Sequence, residues 1–428
     1  MNRNIVGALA LLCLGGWAAP LRAATLDDCY QYALAQSETL ANSRESVVQA
    51  EQMYHQALGA VMPNASLNYT YLRQDDHAYT PILNEFNPNN QQTWNVTLQQ
   101  PLFRGFSEYA ALRQEKDSLV SARDAHRWAA MQIYQDVAQA FFMVLSLENS
   151  REIIEDEIKD YDGRIKEEQD FYAIGRARAS DVETVQADQA LLRATAVQTD
   201  EQIAVEREIL AFLTGKGETL QLEATDQAPA DPGDLDALMR GLDKRPDIHA
   251  ALVQNEAAKE FVKVNEGAHL PSVDLLGHWY PIQRAGTNAP IDWDASISAS
   301  LPLFEGFSLV AKDKQAESMQ RQAEQNLYLA RRQAVSALRT AWHTLSGDLA
   351  QIKADDQAYS LSTKAYTHLE ADYKHGLDTN QDVLIAMTAS WVAKQALETA
   401  GFTARNDYEQ LQTLAGNRLD LFKDDQEQ

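Results

Sequence analysis

Nine histidines and two cysteines are the residues of this chain best suited to metal binding or nucleophilic attack, and their spacing builds neither kind of site. His368 and His375 do not fit an HExxH helix, no Cys/His pattern has zinc-ligand spacing, and no GxSxG elbow, P-loop or GxGxxG turn joins a strand to a helix. Catalysis needs a convergent set of such groups, so the sequence predicts no enzyme, no cofactor and no metal. Charge excludes a second class. Lys+Arg 37 against Asp+Glu 62 gives a net charge of -25, and a nucleic-acid partner would have to be held against that repulsion. The polar residues with the most telling spacing recur at every second position. Asn68 and Thr70, Asn95 and Thr97, and Asp292, Asp294 and Ser296 each alternate with apolar neighbours, so on a strand each set shares one face. Such a face lines water, and its acidic members favour cations.

The elements that must carry these faces come in two copies. Pro101-Leu-Phe-Arg-Gly-Phe-Ser107 returns as Pro302-Leu-Phe-Glu-Gly-Phe-Ser308, and the same 201-residue offset pairs Tyr172 with Tyr373, Gly175 with Gly376 and Asp181-Val182 with Asp382-Val383. Each copy reads as helix, two strands, very long helix, turn and helix. The first repeat spans 25–215, with a helix from Leu26 to about Gly59, strands at about 65–73 and 93–100, a long helix over 107–171, a turn at 172–181 and a helix over 182–214. A linker follows at 216–233. The second repeat, 234–428, has strands at about 272–280 and 292–300, a long helix over 308–372, a turn at 373–382, a helix over 383–415 and a tail. The strand pairs are joined by polar loops at Gln74 to Gln92 and Ile282 to Pro290, which read as surface loops.

Between Ser107 and Phe171 there is no proline, and at ~1.5 Å per residue this helix reaches about 98 Å. Ile133, Val137, Ala140, Val144, Leu147, Arg151, Ile154, Ile158, Tyr161 and Ile165 step by alternating four and three, the seam of a coiled coil. The strands need a different partner. Leu67, Tyr69, Tyr71, Trp94, Val96, Trp279, Trp293 and Ile297 make apolar rows, and Tyr69, Tyr71, Trp94, Trp279, Tyr280 and Trp293 sit near strand ends as an interfacial aromatic girdle would. Four strands are too few to close a barrel, and open edges leave unpaired backbone groups that lipid does not satisfy. Several copies must therefore pool their strands, and the residues alone do not choose between two copies and three.

Residues 1–24 read as an export signal: Arg3, an apolar stretch from Ile5 to Leu14, then Pro20 and the small pair Ala23-Ala24. Leu21 or Arg22 stands where a small residue is preferred, so cleavage after Ala23 and after Ala24 are both open. Leu12 ahead of Cys13 argues against lipidation, and Cys29, the one cysteine left after processing, has no partner for an internal disulfide. Beyond the leader, the longest apolar run, Val137 to Leu147, is too short to span a membrane as a helix.

The doubled element order, the Pro-Leu-Phe-x-Gly motif, Lys244-Arg245-Pro246-Asp247-Ile248 opening the second copy, and Gly-x5-Asp-Val at both turns resemble the TolC family of outer membrane efflux and secretion channels. The resemblance covers essentially the whole chain after the leader. It implies a mixed α and β membrane protein: a homotrimer with four strands per chain in one transmembrane β-barrel, joined to a long coiled-coil α-helical barrel across the periplasm. It implies an export channel for small molecules, metals or polypeptides, working with a periplasmic adaptor protein and an inner-membrane transporter and embedded in outer membrane lipid. Adaptor contact is carried by the resemblance to Gly175, Asp181, Val182, Gly376, Asp382 and Val383. Phe106 and Phe307 stand where the family often has a second glycine, so the local geometry there is in question. A trimeric coiled-coil surface adhesin or periplasmic spacer without a pore would share the heptads and leader, but would not need paired amphipathic strands in each repeat.

A periplasmic gate is expected at the two turns. Arg176 and Arg178 lie on the first, and on the second Asp372, Asp378 and Asp382 cluster around Tyr373, three before Gly376. Three acidic clusters converging on a trimer axis repel unless paired. Arg176 or Arg178, from the same or a neighbouring chain, is therefore expected to pair with Asp378 or Asp382 and hold the tip closed.

Overall fold

The computed structural model describes residues 23–73, 90–218, 220–223, 231–284 and 291–418. Most of the export signal, most of both expected surface loops, part of the linker and the tail from 419 onward lie outside the described residues. The elements, in order, are α1 (Leu26–Gln36), α2 (Glu38–Ala60), β1 (Asn64–Arg73), β2 (Asn90–Arg104), α3 (Ser107–Ala173), α4 (Ala179–Thr214), α5 (Leu235–Arg240), a 3-10 turn (Leu242–Lys244), α6 (Pro246–Gly267), β3 (Ser272–Arg284), β4 (Trp293–Ser300), α7 (Ser308–Lys374) and α8 (Asn380–Leu414). None of the described helices is long and apolar enough to cross a membrane. The expected first helix is two helices, because the Ser37 hydroxyl accepts the Leu40 N–H at 3.2 Å and caps a new start.

The chain forms two compact units. The sheet unit comprises Ser37–Gln135, Ala230–Gln351 and the segment from Ala404; the turn unit comprises the segment up to Gln36, Asp136–Pro229 and Ile352–Thr403.

In the sheet unit the strands run antiparallel in the order β1-β2-β3-β4, leaving β1 and β4 as edges. Tyr69 faces Trp94 and Trp279 faces Trp293 across the ladder. The side chains on that face stay bare: Trp293 and Ile297 are each 69% exposed. Strand β2 runs through Pro101 to Arg104 because β3 offers it partners as far as Ser272, whereas β4 stops at Ser300 and, among the described residues, no strand pairs with Pro302-Leu-Phe. Identical motifs thus take different states according to what lies alongside. The register of β2 against β3 shifts between Trp94 and Val96, where Pro281, which has no N–H to give, stands opposite.

Both strand exits turn through two left-handed residues, Gly105 (φ 64) with Phe106 (φ 62) and Gly306 (φ 59) with Phe307 (φ 65). Gly105 is required twice over, since a Cβ there would lie 2.1 Å from the Gly267 carbonyl oxygen. The phenylalanines therefore keep the geometry that a second glycine would give. Each left-handed Phe costs about 1–2 kcal/mol, and edge-on packing against Phe103 at 5.0 Å and Phe304 at 5.6 Å returns about 0.5–1.5 kcal/mol. The Lys-Arg-Pro-Asp-Ile motif also has a physical role. Arg245 is buried, donates to the Leu414 carbonyl at 3.1 Å and to both Asp247 oxygens, and stacks on Trp128, so it fastens the start of α6 to the end of α8.

In the turn unit the seam of α3 is filled by the return helices. Tyr161 packs with Val185, Leu384 and Met387, flanked by Ile165, Leu192, Tyr366 and Trp391. Ala140 and Val144 pack with Leu210, Leu213 and Leu222. Burying each large side chain contributes about 1.5–3 kcal/mol.

Candidate functional site

Two sets of residues were singled out by the sequence, and each lies within one unit. On the sheet, side-chain parity and register gather the polar set on one face. Asn68 pairs with Asn95 and Thr70 with Thr93, and Asn68 and Asn95 both donate to the Thr97 hydroxyl, at 3.2 and 3.3 Å. Thr97 stands opposite His278, which stands opposite Asp294. Ser296 is on the same side of β4, and Asp292 lies just before that strand, its carbonyl accepting the Tyr280 N–H at 2.9 Å. Asp294 is not a free charge: His278 Nδ1 is 2.9 Å from its Oδ1, and the Tyr280 hydroxyl donates to its Oδ2 at 2.9 Å. Tyr280 therefore belongs to the polar face and not to the aromatic girdle where its position near a strand end had put it. His278 was missed, although its even spacing from Tyr280, opposite Trp279, is a sufficient signal.

The two turns are built alike. Gly175 (φ 76) and Gly376 (φ 78) are left-handed, and the N–H groups of Arg176 and Leu377 close back on Phe171 at 2.8 Å and Asp372 at 2.9 Å. Asp181 accepts the Arg178 N–H at 2.9 Å, while Asp382 accepts from the Thr379 N–H and hydroxyl. Both aspartates are thus committed to capping the return helices. Arg176 donates to the Lys374 carbonyl at 3.4 Å and stacks on Phe171, 4.8 Å from the ring centre. Among the described residues, no ion pair within the chain joins Arg176 or Arg178 to Asp378 or Asp382. Val182 is half-buried. Val383 is fully buried in the helical core, which removes it as a surface contact. The apolar groups that the turns do present are Tyr172, Ile174 and Leu377, the last 75% exposed.

Beneath the turns lies a buried polar network that was not anticipated. Arg164 donates to the Asn380 side-chain oxygen from Nε at 3.1 Å and Nη2 at 2.7 Å, to Glu167 at 2.6 Å, and pairs with Glu168 at 2.9 Å. The Tyr373 hydroxyl donates to Glu168 at 2.9 Å, and its ring lies 4.3 Å beneath the guanidinium. Burial raises the Glu168 carboxyl above its ordinary range, against the opposing pull of Tyr373 and Arg164; burial and the Glu168 bond likewise raise the Tyr373 phenol. Glu168 falls three residues after Ile165, on the next position of the coiled-coil seam, and a charge on a seam requires a buried partner. That was the available signal.

A four-stranded sheet with one apolar and one polar face and open edges, in a chain with two 67-residue helices, is the strand arrangement of an outer-membrane barrel protein. Comparison with known proteins gives the family. The model of the family "Outer membrane efflux protein" matches residues 29–216 and 238–417. The outer membrane protein TolC of Escherichia coli (strain K12) is 22% identical over 417 residues, covering 94% of this chain and 84% of that protein. Among solved structures, the outer membrane protein VceC of Vibrio cholerae aligns with a TM-score of 0.80 at 20% identity, over 91% of this chain and 96% of that one. CusC aligns with a TM-score of 0.81 at 17% identity, over 91% of each chain. The chain belongs to the outer membrane efflux protein family, and is a non-enzymatic efflux channel of the bacterial outer membrane of the TolC type.

Proposed function

We propose that this chain, after loss of an export leader, is one third of a homotrimeric conduit in which three four-stranded sheets close a single barrel in the outer membrane and the long helices line the periplasmic passage. The observation that carries this reading is the sheet itself: a bare apolar face backed by a row of hydrogen-bonded polar groups, with unpaired edges at β1 and β4. Lipid covers the first face, water fills the second, and neighbouring copies pair the edges. Purified protein should conduct ions across planar bilayers; insertion without conductance would overturn the reading in favour of a spacer.

The polar row Asn68, Thr70, Asn95, Thr97, Asp292, Asp294 and Ser296 lines the lumen, with His278 in its midst. The turns at Gly175 and Gly376 meet a periplasmic adaptor that connects to an inner-membrane transporter. Ile174 and Leu377 supply the apolar contact, while Asp181 and Asp382 hold the turns in shape and Val182 borders them. The gate works between copies. Arg176 or Arg178 of one protomer pairs with Asp378 of the next, and Asp382 lends its charge while it caps. Exposed pairs are worth ~0–1 kcal/mol each, and threefold repetition multiplies the bias toward closure. Replacing both arginines with Ala, or Asp378 with Ala, should raise single-channel conductance; unchanged conductance in both variants would remove the gate.

A further inference from the structure

The segment joining the two repeats is held at its near end by the beginning of the chain. The Ala24 N–H donates to the Gln221 carbonyl at 2.7 Å, and the Glu223 N–H donates to the Ala24 carbonyl at 3.0 Å, a parallel bridge centred on Leu222. Ala24 is 4% exposed, and Leu222 packs on the cluster of Ala140, Val144 and Leu210. Arg207 fixes the same segment from the other side, donating to the carbonyls of Glu218 at 2.7 Å and Leu220 at 3.0 Å. Thr25, the next residue, has a separate duty: its N–H and hydroxyl both donate to Asp28, and its carbonyl accepts the Cys29 N–H at the head of α1.

Two peptide bonds suit removal of the leader, Ala23–Ala24 and Ala24–Thr25, and the fold treats their products differently. Hydrolysis at Ala24–Thr25 takes away the residue that answers both Gln221 and Glu223. Hydrolysis at Ala23–Ala24 keeps every bond. The amide C–N bond breaks, the hydroxyl of water goes to the Ala23 carbonyl carbon, and its proton to the Ala24 nitrogen. That nitrogen still has an N–H to give, and its donation to the Gln221 carbonyl is retained. We infer that a leader peptidase cuts between Ala23 and Ala24, and that the amine so released pins the inter-repeat segment Leu220–Glu223 to the mature N-terminus. The inference rests on the reading of the N-terminal residues as an export leader.

Protein purified from outer membranes should give an intact mass and an N-terminal sequence beginning Ala24-Thr25-Leu26. A chain beginning at Thr25 or at any other internal residue would overturn the inference while leaving export in place; a chain retaining Met1 would overturn the leader reading itself. Deleting Ala24 from the gene moves the start to Thr25. In that variant hydrogen exchange at the Glu223 amide should accelerate about tenfold or more, with amides around Val144 unchanged as a check that the helices have formed. Unaltered protection at Glu223 would show that the new N-terminus pins nothing.

Discussion

Two carboxylates show how individual residues carry measurable consequences. Asp348 shares a hydrogen bond with Asp407, and burial followed by that neighbour pushes its carboxyl up to about 6. A raised carboxyl value means the folded state prefers the protonated form. The pair therefore costs stability at neutral and alkaline pH, and the cost fades as pH falls through about 6 toward the ordinary carboxylate range. Asp348→Asn should stabilise the protein by about 1 kcal/mol in mildly alkaline buffer, after discounting for solvent screening, and by almost nothing in acid. Thermal unfolding at the two pH values checks this, and a gain that persisted in acid would contradict it. Asp294, held by His278 and Tyr280, keeps its charge at a fixed place on the sheet. Asp292→Asn with Asp294→Asn should lower cation over anion permeability, read from reversal potentials in a salt gradient. An unshifted potential would exclude these two residues from selectivity.

The elements depend on contacts that cross between them. Arg164 ties α3 to the start of α8, while Glu168 ties it to the end of α7. Arg164→Ala leaves the Glu168 carboxylate buried and unpaired, which should destabilise the turn unit by about 3–5 kcal/mol. Arg164→Met with Glu168→Leu should recover most of that loss, since no charge is then stranded; hydrogen exchange along α8 distinguishes the two. At the turns, Leu377→Glu with Ile174→Glu should abolish export while leaving trimer yield intact, because both side chains are exposed. The corresponding change at Val383 would instead break the helical core, so its effect on export would say nothing about docking.

For the whole molecule the test is the period of the strands. Ile297→Arg puts a charge on the bare apolar face, at a cost of about 2–4 kcal/mol if that position reaches mid-bilayer, and should prevent recovery of the protein from outer membranes. Ser296→Arg, one residue away on the polar face, should be tolerated. Equal recovery of both would refute the assignment of faces. The sequence by itself determined the duplication, the helical seams, the alternation of the strands and hence the fold class, because these are periodic properties written in consecutive residues. Even the positions of the polar row followed from parity. Tertiary structure decided what parity and spacing leave open: that Tyr280 joins Asp294 and not the girdle, that Val383 is core, and that Glu168 on the seam is met by Tyr373 of α7. It also decided that one Pro-Leu-Phe is strand and its twin is not. The physical reason is the same in each case. A side chain's role depends on which groups from distant parts of the chain arrive beside it, and no local pattern records that arrival.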